Sequence, residues 1–271
     1  MMSRLLRSLV IGAAALTLGA LALIVGYILI RGVPYIRPDL FAPKYTTENV
    51  SMLPAIVNTL IMTAVSLAIA VPLGVFAAIY LVEYARRGSR LVALVRVTAE
   101  TLSGIPSIIY GLFGLLFFVT ALKMGFSILA GAMTLGVMIL PLVLRTTEEA
   151  LQAVPDMYRE GAFGLGAGKL RTVFRIVLPS AAPGILAGVI LAIGRIVGET
   201  AALIYTAGTV ANFPKGLLSS GRTLSVHMYA LSSEGMYVDQ AYATAVVLLV
   251  IVFVINALSG LIAKRIAKGS S

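Results

Sequence analysis

Few residues in this chain could do chemistry. Arg195 and Glu199 lie four positions apart in an otherwise apolar stretch, with Thr200 directly after them. On a continuous helix that spacing puts both charges on one face. Each costs about 2.5–3.5 kcal/mol at the centre of a membrane helix, so such charges pair with each other or face a polar pathway. A guanidinium stays ionised there and presents a planar donor fork suited to phosphate or carboxylate. Two readings stay open: a structural ion pair, or an anion-contacting arginine with Glu199 as its partner or competitor. Gly184, Gly188, Ala202 and Thr206 fall near the same face and make it small and polar.

The usual parts of a catalytic centre are missing. The 271 residues include no cysteine and a single histidine, His227, so no metal site built on thiolates or clustered imidazoles is expected. With no second ligand nearby, His227 is expected to be an exposed or locally hydrogen-bonded side chain. Gly168-Lys169 imitates the end of a phosphate-binding loop. That motif also needs a glycine five residues earlier and Ser or Thr after the lysine, where this chain has Phe163 and Leu170. A membrane-embedded lipid phosphatase or hydrolase needs a nucleophile and base, or a metal, within reach. Glu199 has no such companion, so no catalytic residue and no enzyme activity of the chain's own are expected.

The elements that must position these residues are membrane helices. Only 12% of the chain is charged and 59% is hydrophobic, whereas soluble domains are about 25% charged. The net charge of +10 would suggest nucleic acid in a soluble domain. In a membrane chain it reflects basic residues kept in cytoplasmic loops, so no nucleic-acid partner is expected. Six apolar stretches of spanning length cover 9–30, 53–81, 101–122, 126–144, 181–205 and 241–263. The first exceeds the apolar core of a signal peptide and lacks a convincing cleavage site, so it is expected to be retained. With the N-terminus inside, fourteen of the 21 basic residues, among them Arg4, Arg86, Arg87, Arg90, Arg96, Lys264, Arg265 and Lys268, fall on the cytoplasmic side. The expected fold is all-α and integral to the membrane, six helices with both termini cytoplasmic.

Two connections are long. The outer one, 206–240, reads as irregular and water-facing. The cytoplasmic one, 145–179, reads as helix, glycine turn, helix. Pro155-Asp156 suits a helix N-terminus, Gly164 and Gly166 break it, and a second short helix over 169–177 carries Leu170, Val173, Phe174 and Val177 on one face before Pro179 stops it. Such an element either lies on lipid or fits a cytoplasmic partner's groove. In the second span Thr59, Thr63, Ser66 and Ala70 form a small-residue stripe that suits helix packing better than pathway lining. Pro72 and Gly74 are expected to bend that helix near its inner end.

Glu160-Gly161-Ala162, Gly166-Ala167, Ile176-Val177-Leu178-Pro179 and Pro183 resemble the EAA loop of ABC importer permeases, with Gly161 where the family usually has alanine. Arg195-Ile196-Val197-Gly198-Glu199-Thr200 resembles the Arg-x-x-Gly-Glu-Thr signature of the phosphate importer permeases, the PstA/PstC pair, and the segment from Ser103 through Pro106 to Gly114 resembles their third span. Leu140-Pro141 and Arg145 to Ala150 resemble the approach to their coupling loop. The lack of a large N-terminal insertion favours a PstA-like member.

The resemblance implies one permease domain over 1–271, with a first span and N-terminal segment 1–50, a core 51–271 and a coupling loop 145–179. It implies a multi-pass subunit of a prokaryotic plasma (inner) membrane importer of phosphate working by alternating access. Its expected partners are a homologous PstC-like permease, a cytoplasmic PstB-like ATPase dimer carrying ATP and Mg, and an extracytoplasmic PstS-like phosphate-binding protein; the chain itself needs no cofactor. The substrate pathway is expected at Arg195, Glu199 and Thr200. ATPase coupling is expected at Glu160, Gly161, Ala162, Gly166, Leu178 and Pro179. A permease for sulfate or molybdate is the nearest alternative. A stand-alone channel leaves the loop pattern without a purpose.

Overall fold

The computed structural model describes residues 2–86 and 88–269. Arg87 lies outside them, and so do the side chains of Arg4, Lys264, Arg265 and Lys268. The described residues form helices and no strands. Five segments are long and apolar enough to cross a membrane: Leu6–Tyr35, Leu53–Tyr84, Ile128–Gln152, Lys169–Val197 and Val238–Leu261. A bent pair makes a sixth.

The first helix, α1 (Met2–Gly32), leads through two short turns to α2 (Leu53–Ile79). Pro54 opens α2, where a missing N–H falls among first-turn donors that have no helical partner anyway. The helix runs on through Pro72 into a π-turn, Tyr80–Tyr84. Its small-residue stripe is buried, and Ser66 Oγ lies 2.7 Å from the Met62 carbonyl and 3.1 Å from that of Ala132. The stripe is therefore a packing face.

The third span, expected as one helix over 101–122, is two. α3 (Arg90–Ser103) and α4 (Ser107–Gly114, extended by a π-stretch Leu115–Ala121) meet at 102°. The cause is local: Pro106 has no N–H and takes an extended ψ of 140°. Gly104 and Ile105 close only tight bonds back to Thr101 and Leu102.

The fourth span continues past 144 as α5 (Ile128–Gln152), capped by Ser127, whose Oγ accepts the Ala130 N–H at 3.2 Å. The charges that marked the end of the span are satisfied along the helix. Arg145 donates to Glu149 (3.2 Å), Gln152 to Glu148 (2.9 Å), and Glu148 pairs with Arg96 of α3. The connecting helix α6 (Asp156–Gly164) ends in a turn at Gly166, whose φ of +82° suits glycine.

Pro179 does not stop the next helix. α7 (Lys169–Thr172) passes through a π-stretch, Val173–Val177, into α8 (Leu178–Val197) without a break. The wider turn lies directly before the proline, and Ser180 Oγ donates to the Ile176 carbonyl (2.7 Å). The π-stretch also shifts the helical phase. Val173 and Val177 are buried while Leu170 and Phe174 stay exposed, so the expected apolar face splits.

α8 ends at Val197, short of the expected 205, and a single turn, α9 (Ala201–Ile204), follows. The 206–240 stretch, expected to be irregular and wet, holds α10 (Leu224–Glu234), capped by Thr223 and closed by left-handed Gly235 (φ +73°). Its Leu224 and Leu231 pack with Leu40, Val50 and Met52 in a closed cluster. The last helix, α11 (Val238–Gly269), carries α1 on its flank, where Gly32 comes so close to the Tyr242 backbone that a Cβ would overlap it. α2 and α5 form the most extensive pair, and Met62, Leu135, Ile139 and Leu203 fill the centre.

Candidate functional site

Arg195 and Glu199 are brought close in sequence but not onto one face. Arg195 occupies the last turn of α8, and at Gly198 the chain leaves the helix, so the i, i+4 relation no longer holds. Glu199 turns inward and is buried. Its Oε1 accepts the Ala202 N–H at 3.1 Å, capping α9, and its backbone carbonyl accepts from Ser225 Oγ at 2.6 Å. No ion pair joins it to Arg195 among the described residues. The expected charge pair is thus replaced by a helix cap and an exposed arginine.

Beside this break lies the other one. Gly111 of α4 sits so tightly on α9 that a Cβ there would come 2.8 Å from the Ala202 Cα. Ile105, from the Gly104–Pro106 corner, packs on the same cluster as Ala192 and Ile196 of α8. The Arg195 charge reaches Tyr110, whose hydroxyl donates to the Leu102 carbonyl at 2.8 Å. The arginine thus stands where two interrupted helices meet, with no hydrogen-bond or ion-pair partner for its guanidinium among the described residues. Interrupted helices at membrane depth expose backbone groups that are tolerated where they face protein or a watery cavity. Thr200 points to a different space, a cleft of ≈ 400 Å³ between α1, α10 and α11 bordered by Tyr229 and Tyr242. Gly184 and Gly188 allow close approach to Ala150 and Thr146 of α5, so they are packing positions.

At the α6 end, Glu160, Gly161 and Gly166 are exposed, Ala162 is buried, and Leu178 and Pro179 are half-buried. One residue orients this helix, and sequence reasoning counted it only as a positive charge. Arg159 Nε and Nη2 donate to Glu83 Oε1 (3.1 and 2.8 Å), and Nη2 also donates to the Leu151 carbonyl (2.9 Å). Its Nη1 donates to the Val154 carbonyl (2.7 Å) and to Asp156 (3.2 Å). The available signal was Glu83 itself, a lone carboxylate at the end of an apolar span.

Among the described residues no group of three or more acidic or histidine side chains is placed to hold a metal. His227 is fully buried rather than exposed, edge-on to Tyr45 at 6.2 Å. Burial and the nearby Arg222 charge push its pKa down to about 3, against a pull upward from the Val50 carbonyl. The Leu224–Leu231 apolar spacing that buries it was hidden by the serines around it.

Residues 70–268 match the family of binding-protein-dependent transport system inner membrane components. The chain belongs to that family. YqgI of Bacillus subtilis, named a probable ABC transporter permease, is 33% identical over 90% of this chain and 88% of its own. The phosphate transport permease PstA of Pasteurella multocida is 35% identical over 83% and 81%. Several other phosphate permease relatives are longer chains, of which this one spans 31% to 50%. A chain of a bacterial alginate ABC transporter, solved with an alginate-bound periplasmic protein, superposes with a TM-score of 0.70 at 18% identity, covering 99% of this chain and 98% of that one. The two chains therefore share one fold over nearly their whole length.

Proposed function

We infer that this permease carries phosphate inward as one half of a translocation pathway, with Arg195 contacting the anion. The observation that carries this reading is the exposed guanidinium at the junction of two interrupted helices, without a carboxylate to neutralise it. The similarity to a PstA chain over most of both sequences supports phosphate over sulfate or molybdate, and supports the PstA-like assignment. Thr200 stands beside the pathway, and Glu199 holds the break in shape.

The rest of the machine follows from the same reading. α6 is the coupling helix, offering Glu160 and Gly161 to an ATPase dimer, with Ala162, Gly166, Leu178 and Pro179 setting its shape. ATP and Mg are bound by that PstB-like partner, because this chain has no phosphate-binding loop. A PstC-like permease completes the pathway and a PstS-like protein delivers phosphate from outside. The excess of basic residues on one side supports cytoplasmic termini, and the family match over residues 70–268 supports one permease domain.

The test is uptake of labelled phosphate by proteoliposomes holding the complex purified with this chain. Arg195→Ala should abolish uptake while the partners still copurify. Wild-type uptake by that variant would end the proposal, and strong competition by sulfate or molybdate would move it to another oxyanion.

A further inference from the structure

α6 is poorly anchored by apolar contact, since Ala162 is the one buried residue among its nine. Met157, Tyr158 and Phe163 are exposed. What fixes its angle is polar. All five N–H groups of Arg159 are used, and they reach three elements: the π-turn at the end of α2, the C-terminus of α5 and the first turn of α6 itself. The Leu151 and Val154 carbonyls lie at and just past the C-terminal end of α5, where Leu151 otherwise accepts a long bond from the Val154 N–H (3.4 Å), so the guanidinium also caps α5. The pair is well shielded, with the Arg159 side chain 15% exposed and that of Glu83 8%. Beneath it Ala78 and Ile79 of α2 pack with Leu151 of α5, Val154, and Val173 and Val177 of the π-stretch, a base that joins the ends of α2 and α5 without any residue of α6.

We propose that Glu83 and Arg159 form the joint through which α6 drives α2. Both are positioning residues, and neither touches substrate or nucleotide. The geometry explains why a helix so exposed can transmit force. A displacement of α6 pulls on a carboxylate fixed to α2, and α2 is packed along α5 through the core. Two N–H groups of the arginine fork converge on one oxygen of Glu83 while the others hold backbone carbonyls and Asp156, so the planar side chain carries direction as well as charge, which a lysine in its place would not. The inference rests on the proposed role of α6 as the coupling helix.

The chain has no cysteine, which permits a direct test. The full complex is reconstituted in proteoliposomes with wild type, Arg159→Met, Glu83→Gln, and the double variant Glu83→Cys/Arg159→Cys. Phosphate uptake and phosphate-stimulated ATP hydrolysis are read together, with subunit stoichiometry measured on the same sample. In each single variant, uptake per ATP hydrolysed should fall roughly tenfold, within the range seen for residues that carry coupling between sites. The ATPase should still copurify and hydrolyse at its unstimulated rate. Joining the two cysteines with a short bismaleimide, linkage confirmed by mass, should restore coupling, because a covalent strut replaces the ionic one. Normal coupling in Arg159→Met overturns the joint. So does loss of the ATPase from the complex, which would mean docking, or linked cysteines that stay uncoupled in an assembled complex. Absence of phosphate-stimulated hydrolysis in the wild type would instead refute the proposed function.

Discussion

Two glycines on helices, replaced by the same residue, should move stability in opposite directions. Gly111→Ala places a Cβ 2.8 Å from the Ala202 Cα and 3.2–3.3 Å from the carbonyls of Ala202 and Ala201. Carbon atoms rest at about 3.5–4.0 Å, and the obstructing atoms are backbone, which cannot rotate away. Overpacking of this kind costs about 1–3 kcal/mol, and the helix-propensity gain of alanine over glycine returns about 1 kcal/mol. Gly161→Ala in α6 meets nothing within 4 Å and should show the propensity gain alone. The propensity gain is common to both, so the two variants should differ by the overpacking cost, about 1–3 kcal/mol, a separation of about 2–12 °C in Tm at about 2–4 °C per kcal/mol for a chain of this size. The assay is thermal unfolding of each purified variant in the same detergent. Gly111→Ala should also lower phosphate uptake, because it pushes α4 off the break next to Arg195. Equal melting of the two variants would refute the close approach of α4 to α9.

Glu199→Ala should cost about 1 kcal/mol in thermal unfolding through the lost cap on α9, whereas Glu199→Gln should melt near wild type, since an amide oxygen can still accept the Ala202 N–H. An equal loss in both would restore a charge role for Glu199. His227 stays neutral in the folded chain down to about pH 3 but gains a proton near 6.5 when unfolded. Stability from this residue is thus complete above pH 6.5 and is lost as pH falls toward 3. Between pH 7.5 and 5 the wild type should lose about 2 kcal/mol relative to His227→Phe, measured by chemical unfolding; parallel curves would contradict the burial. Gly74→Val should destabilise as well, because even a Cβ there comes 2.9 Å from Val143 Cγ1 and 3.2 Å from the Leu144 backbone nitrogen. Normal melting of that variant would count against the close packing of α2 on α5.

Residue order alone determined the membrane class, the set of apolar segments, the packing stripe on α2 and the helix–turn–helix pattern around Gly166. These follow from hydrophobic periodicity and from glycine and proline, which act over one or two turns and are therefore local. Tertiary structure decided where helices end when local signals compete. Pro179 reads as a stop, yet a π-stretch carries the helix through it, while Gly198, a weaker breaker, ends α8 and separates Arg195 from Glu199. The charges at 145–149 read as the end of the fourth span, yet α5 runs on through them to Gln152, with Arg96 of α3 paired to Glu148. The burial of α10 and His227 depended on Leu40, Val50 and Met52, more than 170 residues earlier in the chain, and the Glu83–Arg159 joint spans 76 positions. Pairings at such separations leave no periodic trace, because each side chain finds its partner only after the helices between them have packed.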